Sequence, residues 1–144
     1  MKKIYFTHYL PLILWMAVIF AFSANPKPYS ALPQSWSEPS SSNPVGPSSD
    51  EILGRFLHVG EYIVLAILVS RMSLLGKRNN AGLIMVVIGL SGLYALSDEF
   101  HQSFVPGRSA QWSDLLLDLI GILIGVLVFK IWQRTRANKS LANG

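Results

Sequence analysis

The side chains of this chain that could carry chemistry fall into three short runs. The first holds Arg55, His58 and Glu61, with Tyr62 beside them. The second holds Asp98, Glu99, His101 and Gln102, followed by Arg108, and the third is Asp114 with Asp118. Carboxylate next to imidazole suits general acid–base chemistry or a divalent cation. An arginine fork suits a phosphate or a carboxylate. There is no cysteine, which excludes a thiolate metal site, a disulfide and a Cys nucleophile. Only His58 and His101 accompany these runs and no paired-histidine zinc motif exists, so neither metal nor cofactor is expected. No Ser nucleophile motif is present either, so a hydrolytic reaction would depend on water or a carboxylate as the attacking group.

Spacing places these residues relative to one another. Steps of three and four put Arg55, His58 and Tyr62 on one helical face, with Glu61 alongside. On a continuing helix Asp98, His101 and Gln102 share a face, and Glu99 points about a quarter turn away. Asp114 and Asp118 are one turn apart, and Gly121 and Gly125 continue that line. Small residues at that spacing let another helix approach closely, either within the chain or in a homodimer. Val105-Pro106-Gly107-Arg108 reads as a turn that re-aims the chain and projects Arg108 over the other polar residues. Simpler roles are open for each: Arg55 pairing an acid, His58 bonding a backbone carbonyl, and Arg108 paired with Asp98, Glu99 or Asp114. Asp118 sits inside an apolar block and must be neutralised or paired, with Arg55 the expected partner. His8 is incidental, and Trp15, Trp112 and Trp132 read as packing or interface aromatics.

The elements that carry these residues are apolar blocks. Of the 144 residues, 51% are hydrophobic and 14% charged, which is too little polar surface for a soluble domain of this size. The fold class expected is an all-α membrane protein with four transmembrane helices, forming a single domain over 1–144. The spans are placed at about 5–23, 53–75, 81–97 and 115–132. A span needs ~20 apolar residues, so the third is short unless its helix runs on through Asp98. Residues 24–50 are rich in Ser and Pro and read as a loop with no core of its own. Residues 76–80 are a short connection that makes spans two and three an antiparallel hairpin, and 133–144 read as a disordered basic tail.

Charge sets the expected orientation. Lys2, Lys3, Arg71, Lys77, Arg78, Lys130, Arg134, Arg136 and Lys139 lie at one set of span ends. Lys27, Arg55 and Arg108 lie at the other, together with all eight acids. Nine Lys and Arg against three put both termini in the cytoplasm and the polar runs at the outer face. The pI near 9.6 is explained by these flanks, and no basic stripe points to nucleic acid. A second reading of span one is a cleaved signal peptide, from Lys2-Lys3, the apolar run and the small residues near Ala24.

Taken together the motifs resemble the VanZ-like family. The resemblance covers most of the chain. It rests on Ile19-Phe20 with Ser23, on Arg55-x-x-His58-x-x-x-Tyr62, and on Asp98-Glu99-x-His101-Gln102-x-Phe104-Val105-Pro106-Gly107-Arg108 followed by Asp114, Asp118 and Gly121. The loop 24–50 is an addition to the usual layout. The resemblance implies a small multi-span protein of the bacterial inner membrane, whose family namesake is associated with teicoplanin resistance; it carries no settled biochemical activity. Three functions follow. The first is a non-enzymatic envelope protein binding membrane lipid, a lipid-linked wall precursor or glycopeptide at its outer face, through Arg55, Tyr62, Gln102, Arg108, Asp114 and Asp118. The second is a membrane enzyme acting on a lipid headgroup or wall intermediate, with Glu99 or Asp98 as base, His58 or His101 as acid or base and Arg108 on phosphate. The third is a proton or ion path through Asp118, Glu61 and His58, which the apolar inner halves of spans one and three disfavour.

Overall fold

In the computed structural model the residues described are 5–25, 49–74, 80–106, 108 and 110–142. Lys2, Lys3, most of the Ser/Pro segment, the short connection with Lys77 and Arg78, and Gly107 lie outside them. A π-helical turn, Tyr5–Tyr9, leads into α1 (Leu10–Ser23), followed by α2 (Ser49–Ser73), α3 (Asn80–Gln102) and α4 (Trp112–Ala142). Each of the four is long and apolar enough, α1 together with the turn before it, to cross a membrane. The third helix does run on through Asp98 to Gln102, which gives it the length that its apolar block alone lacks.

The fourth helix differs from expectation at its end. Residues 133–142 continue α4 instead of forming a disordered tail. They contain neither Gly nor Pro. Extending an existing helix fixes one residue per new hydrogen bond and avoids the cost of nucleation, so polar composition does not end it. Arg136 lies over the Trp132 ring at 4.4 Å and Thr135 Oγ1 donates to the Trp132 carbonyl, both of which favour another turn.

Each helix turns a narrow stripe inward. In α2 the buried positions are Gly54, His58, Tyr62, Leu65, Ala66, Val69, Ser70 and Ser73; in α3 they begin with Leu83, Val87, Ser91 and Ala95 at every fourth residue. The α4 stripe is Asp118, Gly121, Ile122, Gly125, Val126 and Phe129. The remaining faces expose large apolar side chains such as Ile13, Leu14, Met85, Leu93, Leu123 and Leu127, which suits lipid and not water. The α2 and α3 helices pack on each other, with α1 and α4 on opposite sides of the pair, and α2 against α4 is the most extensive contact.

That contact depends on two glycines. A Cβ at Gly121 would stand 2.6 Å from the Val59 carbonyl oxygen, and one at Gly125 would stand 2.6 Å from that of Ile63 and 2.8 Å from the Ala66 Cβ. The obstacle is backbone, which cannot rotate aside. The two glycines are therefore used within the chain and are not available as the seam of a homodimer. Gly121→Ala and Gly125→Ala should each cost about 1–3 kcal/mol by forcing α2 and α4 apart. Gly89→Ala, whose Cβ would meet nothing within 4 Å, should cost nothing. Thermal unfolding of the detergent-solubilised chain measures all three, and equal behaviour at positions 89 and 125 would contradict this account.

Candidate functional site

The up-and-down order of the helices brings four ends together. Here α1 and α3 finish and α2 and α4 begin, as the contacts of Ser23 with His101 and of His58 with Asp118 show. Glu61, Asp98, Glu99, Asp114 and Asp118 all lie in this half of the bundle. Among the described cations, Arg71, Lys130, Arg134, Arg136 and Lys139 lie at the other end.

A small cleft at this end is partly open. Phe22, Ser23, His58, Glu61, Asp98, Gln102 and Arg108 line it, so α1, α2, α3 and the α3–α4 turn all contribute. His58 Nδ1 lies 3.3 Å from Asp118 Oδ1, and both side chains are buried. Asp118 is therefore paired with His58 and not with Arg55, which is exposed on α2. The reason is geometric: His58 and Tyr62 lie in the buried seam facing α4, and Arg55 lies outside it although its spacing places it near them. Glu61, between His58 and Tyr62, is held in place through its backbone, whose carbonyl accepts from Trp15 Nε1 of α1 at 2.9 Å.

On α3, Gln102 Nε2 donates to Asp98 Oδ2 at 2.9 Å, which orients both side chains at the cleft wall. Glu99 and His101 do not line the cleft. Glu99 Oε2 accepts from the Gln111 backbone N–H at 3.0 Å and so fastens the end of α3 to the start of α4. His101 Nδ1 lies 3.4 Å from Ser23 Oγ, and its ring packs on Phe20 with centroids 4.3 Å apart, holding α3 to α1. Tyr62 is fully buried below the cleft, and Asp114 is bonded locally by Ser113 Oγ at 3.2 Å. Asp118 likewise lies behind the lining and reaches it only through His58.

The turn that carries Arg108 forms as its residues dictate. The Arg108 backbone N–H donates to the Val105 carbonyl at 3.1 Å, with Pro106 in the second position that its fixed φ favours. Val105 is buried and anchors the turn. From it Arg108 Nη1 reaches the Phe22 carbonyl at 3.3 Å, closing the cleft between α1 and α3–α4. The ion pairs open to it in sequence, with Asp98, Glu99 or Asp114, are replaced by this bond to backbone. Two tethers were not legible in the chain. Trp15 looked like ordinary packing, and Tyr94, whose hydroxyl donates to the Met16 carbonyl at 2.6 Å, carried no motif at all.

Several buried oxygens have no hydrogen-bond partner among the described residues: Tyr62 Oη, Asp98 Oδ1, Glu99 Oε1 and Asp118 Oδ2. Also among the described residues, no three His, Asp or Glu side chains are grouped so as to hold a metal ion. The arrangement is one of a buried imidazole–carboxylate pair supporting a small polar cleft, with one permanent cation at its rim. Removing either half of the pair strands the other in an apolar seam. His58→Leu and Asp118→Leu should each cost about 3–5 kcal/mol, and the double substitution should lie nearer the wild type than their sum. Chemical unfolding in detergent measures the cycle; strictly additive losses would mean the two side chains do not act together.

No curated protein and no solved structure matches the chain. A family model described as VanZ/LLP1 matches residues 8–133, and that span takes in α1, α2 and α3, α4 as far as residue 133, and every cleft residue. The chain belongs to the VanZ/LLP1 family.

Proposed function

We propose that this VanZ-family membrane protein is a non-enzymatic component of the bacterial inner membrane. Its polar end faces outward and receives the phosphate-bearing headgroup of an envelope lipid or lipid-linked wall precursor, and occupancy of the cleft contributes to tolerance of glycopeptides such as teicoplanin. The observation that carries this reading is the placement of Arg108. It stands at the rim of a cleft built from three helices and a turn, with one guanidinium N–H on the Phe22 carbonyl and a planar fork suited to phosphate. Glu99 and His101, two of the four acid–base candidates by sequence, are occupied in joining helices. That favours binding over catalysis.

The orientation follows from charge. Arg71, Lys130, Arg134, Arg136 and Lys139 gather at the end opposite the cleft, and cytoplasmic flanks carry the excess of Lys and Arg. Both termini then lie in the cytoplasm. A fluorescent protein fused after residue 144 should be bright, and alkaline phosphatase fused at the same place should be inactive. The reverse result would turn the cleft toward the cytoplasm and end this reading.

Susceptibility to teicoplanin tests the function. In a Gram-positive host at matched membrane levels, wild type should raise the inhibitory concentration, and Arg108→Ala and Glu61→Gln should abolish the increase. Glu99→Gln should keep it, because a glutamine oxygen still accepts from the Gln111 N–H. Protection that survives Arg108→Ala would refute a role for the cleft.

A further inference from the structure

A phosphate at Arg108 leaves the acids of the cleft unexplained. Among the lining residues Arg108 is the one permanent cation, facing the carboxyl groups of Glu61 and Asp98. Asp98 is only 4% exposed, and Gln102 satisfies its Oδ2, while Oδ1 is buried without a partner among the described residues. Arg108 does not serve it, because its guanidinium donates to the Phe22 carbonyl instead. His58, whose Nδ1 is engaged by Asp118, makes no hydrogen bond to it either. An acceptor left so in a cleft calls for a ligand that donates, and one bearing positive charge matches two carboxyl groups best. A primary ammonium is compact and carries three donors.

The surroundings indicate where such a group comes from. Phe56, Phe100, Phe104 and Trp112 are all strongly exposed on the end of the bundle that holds the cleft. Aromatic side chains ringing one end of a membrane bundle sit at the level of lipid headgroups. The cleft therefore opens among headgroups, and the source of the ammonium is a lipid.

We infer that the cleft takes a phospholipid headgroup bearing a primary amine, with the ammonium on Asp98 beside Glu61 and the phosphate on Arg108. This rests on the reading of Arg108 as a phosphate contact and adds a second, separable contact to it. The test titrates the full chain in detergent with phosphatidylethanolamine, phosphatidylglycerol and phosphatidylcholine of identical acyl chains, with lipid adducts read by native mass spectrometry. All three carry phosphate; phosphatidylglycerol has no amine and phosphatidylcholine has a trimethylated nitrogen that cannot donate. Phosphatidylethanolamine should bind about tenfold more tightly than the other two, the worth of one charge-assisted hydrogen bond. Asp98→Asn should bring it to within about twofold of phosphatidylglycerol, whose own binding should not change. Glu61→Gln, at a half-buried position, should erode the same preference and serves as the variant least open to misfolding. Equal binding of phosphatidylethanolamine and phosphatidylglycerol to wild type, or a preference that survives both substitutions, would overturn the proposal. If all three lipids bind equally and Arg108→Ala weakens them together, the amine contact is refuted and the phosphate contact stands. If Arg108→Ala weakens none, both fail.

Discussion

The close approach of α2 and α4 at Gly121 and Gly125 sets the geometry of everything above it. In lipid there is no hydrophobic drive to bring helices together, so association depends on how closely backbones can pack. With the Val59 and Ile63 carbonyls resting where a Cβ would be, α2 and α4 approach as far as backbone allows. Within a turn of that contact, His58 and Asp118 meet across the same seam. A shift of the helices by the width of one methyl group would separate them and leave two polar groups buried alone. The glycine contact and the buried pair are thus one device. The first provides the proximity, and the second fixes which register of α2 on α4 satisfies the polar atoms.

The rest of the bundle is attached differently. The first helix buries only a thin stripe of Leu12, Ile19 and Ser23 and packs mainly on α2 and α3. Side-chain donors reinforce this packing: Tyr94 on the Met16 carbonyl, Arg108 on that of Phe22 and, from α1 itself, Trp15 on that of Glu61. Hydrogen bonds to a helix carbonyl cost no new unsatisfied group, since that oxygen has a second lone pair. They fix the height of α1 relative to its neighbours, and so the position of Phe22 and Ser23 at the cleft. The site is therefore built from one tightly packed helix pair and one helix hung on side-chain donors.

Much of this was readable in the chain because the physics was local. Apolar length marked the four spans, Pro106 before Gly107 marked the turn, and the glycine spacing marked a close helix contact. The gathering of polar runs at one end followed from the alternation of helix direction alone. What was not readable depended on rotation and on partners. Arg55 and His58 are three residues apart, and spacing could not say which of them falls in the seam with Asp118. Glu99 was, with Asp98, a candidate base, and its position a quarter turn from the other polar residues is where it meets the Gln111 N–H across the turn. The polar residues after Trp132 looked too hydrophilic for order, although nothing in them stops a helix already running. Tyr94 gave no signal because its acceptor is a backbone carbonyl 78 residues earlier, and backbone carries no sequence signature.

The length of α4 has a consequence for how deep the protein sits. Trp112 and Trp132 are both exposed and stand twenty positions apart, and at ~1.5 Å per residue that is ~30 Å, the thickness of a bilayer's hydrocarbon core. Each ring is at home at one boundary of that layer. Beyond Trp132 the helix continues for about three turns with Arg134, Arg136 and Lys139 upon it, too charged to be drawn inward. The helix thus acts as a draught mark. It cannot sink without immersing cations or rise without lifting apolar side chains into water, and the mouth of the cleft is kept at one fixed level against the lipids around it.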